Sequence, residues 1–173
     1  MAIEVHLGRN TREHGEIDLA MLRADCSTLT HLFDEFELYI AYDGELTRWD
    51  GASLRAEHHQ FWVRPNAGEA WVFELLLEQH DGDDWVYRRD PRVRRPLTDF
   101  GLRDARGVRY VRPAVALLYK SNKPEIERNQ HDFEVALPVL SPTEREWLRQ
   151  ALEMTYPGIH GSIGSAISDG AGG

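Results

Sequence analysis

Hydrophobic positions change texture along the chain. Between residues 16 and 79 they alternate or run in short blocks, as strands do, and from residue 112 to 156 they recur every third and fourth position, as helices do. Residues 16–22 read as a strand, and residues 37–42 as a second, which the Asp43-Gly44 turn signal ends. Residues 60–64 and 70–79 give two more, joined through Pro-Asn-Ala-Gly-Glu, and His80-Asp81-Gly82-Asp83-Asp84 turns the chain into Trp85-Val86-Tyr87. Asp25-Cys26-Ser27 offers caps for a helix through Phe36, with Leu29, Leu32, Phe33 and Phe36 on its apolar side. Residues 2–7 read as the last turns of a helix, with Ile3 and Leu7 at i, i+4 spacing and Gly8 as its stop.

The later stretches RPAVALLYK, ERNQHDFEVAL and SPTEREWLRQALEMTY have helical periodicity, and Ser141, Pro142 and Glu144 give the last a capping box with proline at its first position. The glycine- and serine-rich residues 158–173 predict a disordered tail. The expected architecture is α+β: a small mixed β-sheet with helices packed on it over residues 1–111, then a C-terminal helical segment over residues 112–157.

Composition narrows the function classes. No apolar run approaches the roughly 20 residues that span a bilayer, and no basic-then-apolar leader opens the chain, so a cytoplasmic protein without a membrane partner is expected. Cys26, the single cysteine, excludes an intrachain disulfide and suits a reducing compartment. A net charge of −9 disfavours general nucleic-acid binding.

Within the first strand, Glu16 and Asp18 are two apart and share a face, where two carboxylates repel unless a cation sits between them. Oxygen ligands suit Mg²⁺ or Mn²⁺. Glu74, amid apolar neighbours in WVFELLLEQ, is the natural third acid, and Glu78 the reserve. Acid-x-acid pairs are common, and the residues alone lean to a plainer reading, in which the acid pair ends a turn and Glu74 faces solvent. Arg88, Arg89, Arg92, Arg94 and Arg95 either line an anionic site or balance Asp81, Asp83, Asp84 and Asp90 in a solvated turn. Lys120 closes an apolar helix, where it either reaches a phosphate or complements the helix C-terminus. His58 and His59 lack zinc-site spacing, and Trp62, Trp71, Trp85 and Trp147 read as core or, for one of them, as a stacking platform.

Taken together, GRNTREHGEIDLAML, then FELLLEQHDGDDWVYRRDPRVRRPL, then RPAVALLYKSN resemble the small nucleotidyltransferases related to aminoglycoside and lincosamide nucleotidyltransferases, within the DNA-polymerase-β-like superfamily. The resemblance implies transfer of a nucleoside monophosphate from ATP or another nucleoside triphosphate to a hydroxyl of a small-molecule acceptor. It implies Glu16, Asp18 and Glu74 as ligands of Mg²⁺ or Mn²⁺, with Glu74 also the catalytic base. Thr11 and Arg12 fall on the Thr-Arg-x-His pattern that precedes the acid pair, completed by His14, and are carried over with Lys120 as nucleotide-binding residues.

The departures from the pattern bear on the same chemistry. Glu16 replaces the commoner Asp, and Arg128-Asn129-Gln130-His131-Asp132-Phe133 stands where relatives read Lys-Asp-Glu-x-Asp-Phe. The sequence opens Met-Ala-Ile-Glu-Val without the Gly-Gly-Trp that cradles phosphate in relatives, so weakened nucleotide binding is expected. A non-catalytic relative, retained as a binding or interaction module, is the alternative.

Overall fold

The computed structural model describes residues 1–15, 17–66, 68 and 70–157. The elements begin with helix α1 (Ala2–Leu7), strand β1 (Asp18–Leu22), helix α2 (Leu29–Leu32), and strands β2 (Phe36–Tyr42) and β3 (Glu45–Arg48). Strands β4 (Gln60–Pro65), β5 (Phe73–Asp81), β6 (Asp84–Val86), β7 (Arg94–Pro96), β8 (Gly101–Arg103) and β9 (Arg109–Val111) follow. Helices α3 (Pro113–Lys120), α4 (Glu127–Ala136) and α5 (Pro142–Thr155) come last. The chain is mixed α+β, and among the described residues no helix is long and apolar enough to cross a membrane. It divides into two compact units: residues 14–82, and residues 1–13 together with the chain from Asp83. The boundary expected after residue 111 lies inside the second unit, and the expected tail, residues 158–173, lies outside the described residues.

In the 14–82 unit, β3, β2, β4 and β5 pair in that order and antiparallel, while β1 runs parallel to β5. Period-two alternation divides the sheet's faces. Leu38, Ile40, Phe61, Val63, Leu75 and Leu77 point into a core closed by Leu29, with Phe33, Phe36 and Phe73 packed against it. Each such burial contributes about 1.5–3 kcal/mol. Asp43 (φ 51°) and Gly44 (φ 78°) make the two-residue hairpin between β2 and β3, the left-handed pair that such a turn requires.

The long helix expected from Asp25 to Phe36 does not form. A 3₁₀ turn covers Arg23–Thr28, α2 adds a single turn, and Phe36 already belongs to β2. Asp25, Cys26, Ser27 and Thr28 are weak helix formers, and the Thr28 hydroxyl donates to the Asp25 carbonyl oxygen at 2.7 Å, a local bond that competes with helix propagation.

The other unit buries Trp85, Tyr87, Val93, Val115, Leu117, Leu118, Phe133 and Leu148 in one core beneath α1, α3, α4 and α5. Helix α5 starts with half of the expected capping box: the Ser141 hydroxyl accepts from the Glu144 amide at 3.2 Å, with Pro142 in the first turn, while the Glu144 carboxylate pairs with Arg95. Gly8 ends α1 in the left-handed conformation (φ 67°). Two short hairpins, β6 with β7 and β8 with β9, complete this unit.

Candidate functional site

Parallel pairing of β1 with β5 sets Asp18 directly beside Glu74 as Cα partners. Paired residues on neighbouring strands project to the same face, so these two carboxylates stand about one strand spacing, ~4.8 Å, apart at the backbone. The face is the one turned away from the core: Leu75 and Leu77 point inward while Glu74 between its apolar neighbours points out. Asp18 is exposed and Glu74 half-buried. On the other side of Glu74, β4 supplies Trp62 as its direct partner, and Gln60, diagonally placed, donates its side-chain amide to the Glu74 carboxylate. Glu78, on the same strand face, is 4% exposed and sits at the register of Leu22.

Glu16 lies outside the described residues. Among the described residues no group of three or more His, Cys, Asp or Glu side chains is arranged to hold a metal ion. The expected ligand set thus reduces here to the adjacent Asp18 and Glu74, both hard oxygen donors of the kind Mg²⁺ and Mn²⁺ prefer.

Farther along the same face, Glu37 on β2 receives the Arg64 guanidinium at 2.8 Å and Arg48 at 3.3 Å. The Arg64 hydrogen bond, helped by the Tyr39 hydroxyl and the Arg48 charge, holds the Glu37 carboxyl below its ordinary range against the opposing effect of burial. Arg64 also lies over the rings of Tyr39 and Trp71, at 4.8 and 5.2 Å from their centroids.

The expected nucleotide-binding residues belong to the other unit, where they meet on acids. Arg12 donates through Nε and Nη2 to the two carboxylate oxygens of Asp132, each at 3.2 Å, and the Lys120 ammonium reaches the same carboxylate at 2.7 Å. The Thr11 hydroxyl donates to Glu4 at 2.9 Å. Asp132 is 1% exposed. Burial pushes its carboxyl pKa up, but Arg12 and Lys120 outweigh that and hold it below the ordinary carboxylate value.

Asp132 was not foreseen as a centre of this kind. Its signal lies in helical spacing: Asn129, Asp132, Phe133 and Ala136 are all buried, so the acid stands on the inward stripe of α4 and needs cations to stand there. Gln60 became visible only through strand register, and register is also what sets Trp62, already a candidate by residue type, beside Glu74.

The arginine run serves structure in part. Arg92 forms a two-pronged pair with Asp90 at 2.9 and 2.7 Å, as a charge-balanced turn would have it. Arg95 instead is buried at 6% exposure; it pairs with Asp99 at 2.7 Å and with Glu144, and stacks on Trp147 at 4.5 Å. His58 is also buried, accepting from Arg55 Nε at 3.0 Å. No protein-family model matches the chain, and no curated protein or solved structure gives a significant match.

Proposed function

We propose that this chain is a nucleotidyltransferase-like protein that transfers a nucleoside monophosphate, from ATP or another nucleoside triphosphate, to a hydroxyl of a small molecule. The observation that supports the reading is the in-register pairing of Asp18 with Glu74 on one polar sheet face. Two carboxylates in adjacent cross-strand positions repel, a cost that a bound cation would offset. Asp18 and Glu74 are the hard oxygen donors that would hold a divalent ion in this reading, with Glu16, named from the sequence alone, as the further ligand. Bound there, Mg²⁺ or Mn²⁺ would offset the charge that develops on the attacked phosphate and its leaving oxygen.

Glu74 is the base in this scheme. It takes the proton of the acceptor hydroxyl as the new O–P bond forms and the bond to pyrophosphate breaks, and the Gln60 amide orients its carboxylate for that step. Purified protein incubated with labelled nucleoside triphosphates, Mg²⁺ and a panel of aminoglycosides, lincosamides and simple polyols is expected to yield a labelled acceptor and pyrophosphate. No labelled product with any member of the panel would count against the reading.

One observation favours the non-catalytic alternative. Arg12 and Lys120, the cations assigned to the nucleotide, are both engaged by buried Asp132. A binding module would keep that arrangement and show neither transfer nor a nucleotide-dependent shift in melting temperature.

A further inference from the structure

Several arginines in the second half of the chain find acids: Arg92 meets Asp90, Arg95 and Arg112 meet Asp99 and Glu144, and Arg106 meets Asp104. Arg103 and Arg109 find each other instead. They are Cα partners across the β8–β9 hairpin, and both are exposed. The Asp104 amide donates to the Val108 carbonyl oxygen at 3.0 Å, and the Arg112 amide to that of Phe100 at 3.1 Å. Bonded and unbonded pairs alternate along an antiparallel ladder, so Arg103 and Arg109 form an unbonded pair, the kind whose side chains stand closest. Among the described residues neither guanidinium reaches a carboxylate: Arg103 donates to the Gly107 carbonyl oxygen at 2.9 Å, and the Arg109 side chain makes no hydrogen bond or ion pair.

Like charges directly opposite weaken a sheet, and a two-stranded sheet is marginal to begin with. The tip is nonetheless fixed from within. Asp104 accepts from the amides of Arg106 and Val108, each at 2.9 Å, and Gly107 takes the left-handed conformation (φ 85°). Strands β8 and β9 pair only with each other, so β9 has an open side. In an unbonded pair the backbone N–H and C=O of Arg109 point to that side. Val108, on the opposite face from Arg109, is 51% exposed.

We propose that the open edge of β9 docks an extended acidic segment of a partner protein, which adds a third strand and sets a carboxylate beside Arg109 in the row Arg103, Arg109. The inference is independent of the nucleotidyl-transfer reading. The period of a strand gives the partner its pattern: acids on the face of the two arginines, where guanidinium groups take carboxylates in a bidentate way, and apolar residues on the face of Val108. A nucleic acid fits less well, because two cations meet only a short stretch of a polyanion that the net charge of −9 repels as a whole.

The full chain is titrated, by fluorescence anisotropy, into a labelled hexapeptide of alternating Glu and Val. A hexapeptide of the same composition with its acids in one block and a labelled oligodeoxythymidylate serve as the other probes. Wild type is expected to bind the alternating peptide with a Kd of about 100 μM at low salt, more weakly as salt rises, and the block peptide at least about fivefold more weakly. Arg109→Gln should weaken the alternating peptide by about tenfold and Arg103→Gln by about threefold. Arg109→Gln removes no contact of the folded chain and relieves a like-charge pair, so its melting temperature should not fall.

The assignment is overturned by unchanged peptide affinity in folded Arg109→Gln, by no binding of the alternating peptide to wild type, or by equal binding of the block peptide, which would reduce the edge to a general charge attraction. An oligodeoxythymidylate that binds more tightly than the peptide, and depends on Arg109, would overturn it in favour of a nucleic-acid site.

Discussion

Asp132 in the helical unit and Asp18 in the sheet unit solve the problem of a carboxylate in opposite ways. Asp132 is almost wholly buried and shares two cations, Arg12 and Lys120. Asp18 is exposed, and its neighbour across the strand pairing is a second acid, Glu74. A buried charge without partners costs several kcal/mol, so the cations around Asp132 follow from burial alone and indicate a structural role. The proximity of Asp18 and Glu74 does not follow from burial. It opposes folding slightly, which makes this pair the better place to look for chemistry.

The comparison breaks most visibly at Asp132. Asp132→Asn leaves Arg12 and Lys120 facing a neutral group in a largely desolvated pocket, and should cost about 3 kcal/mol in urea denaturation. Next in size is Glu74→Gln, which keeps the side-chain volume. It should lower nucleotidyl transfer about 10²-fold or more while moving unfolding free energy by no more than about 1 kcal/mol. A stability loss with full activity would make Glu74 structural and erase the contrast between the two acids.

Asp18→Asn is expected to act in the opposite sense to Asp132→Asn. Removing one charge of this cross-strand pair should stabilise the metal-free chain by about 0.2–1 kcal/mol; Mn²⁺ is expected to raise the melting temperature of the wild type, and the same change should abolish that rise. The smallest effect is on pH dependence. The folded Asp132 carboxyl has a lowered pKa, so its contribution is complete above the unfolded carboxylate value and is lost as pH falls through the folded value. The acid limb of a stability-against-pH curve should therefore flatten in Asp132→Asn relative to wild type.

Much of the fold was legible because period and punctuation agree locally. The alternation in Phe61 and Val63, or Leu75 and Leu77, marks the inward face of a strand without knowledge of its neighbours. Ser141 with Glu144, and Gly8, announce helix ends through bonds made within a few residues. The segment after β1 failed the same logic: its apolar positions have helical spacing, but Asp25 to Thr28 favour local turns, and spacing outweighed propensity in the expectation.

At the candidate site, residue type suggested Asp18 and Glu74, but their adjacency depends on which strands pair and in what register, information no local pattern holds. Arg12, Lys120 and Thr11 were singled out as cations and a hydroxyl for phosphate. The contact of Thr11 with Glu4 spans only seven residues, whereas those of Arg12 and Lys120 with Asp132 depend on α3, α4 and the segment after α1 coming together, which lies outside any short window of sequence.

The parallel alignment of β1 with β5 has a kinetic consequence. Of the strand pairings in the 14–82 unit it joins the most distant segments of chain, whereas β2 with β3 closes across a two-residue turn. Loop-closure entropy rises with the length of the loop, so the nearest pairings are expected to form early and the β1 seam late. Asp18 and Glu74 therefore come together only as the last strand docks, and a chain halted before that step would hold a nearly complete sheet with its two acids still apart.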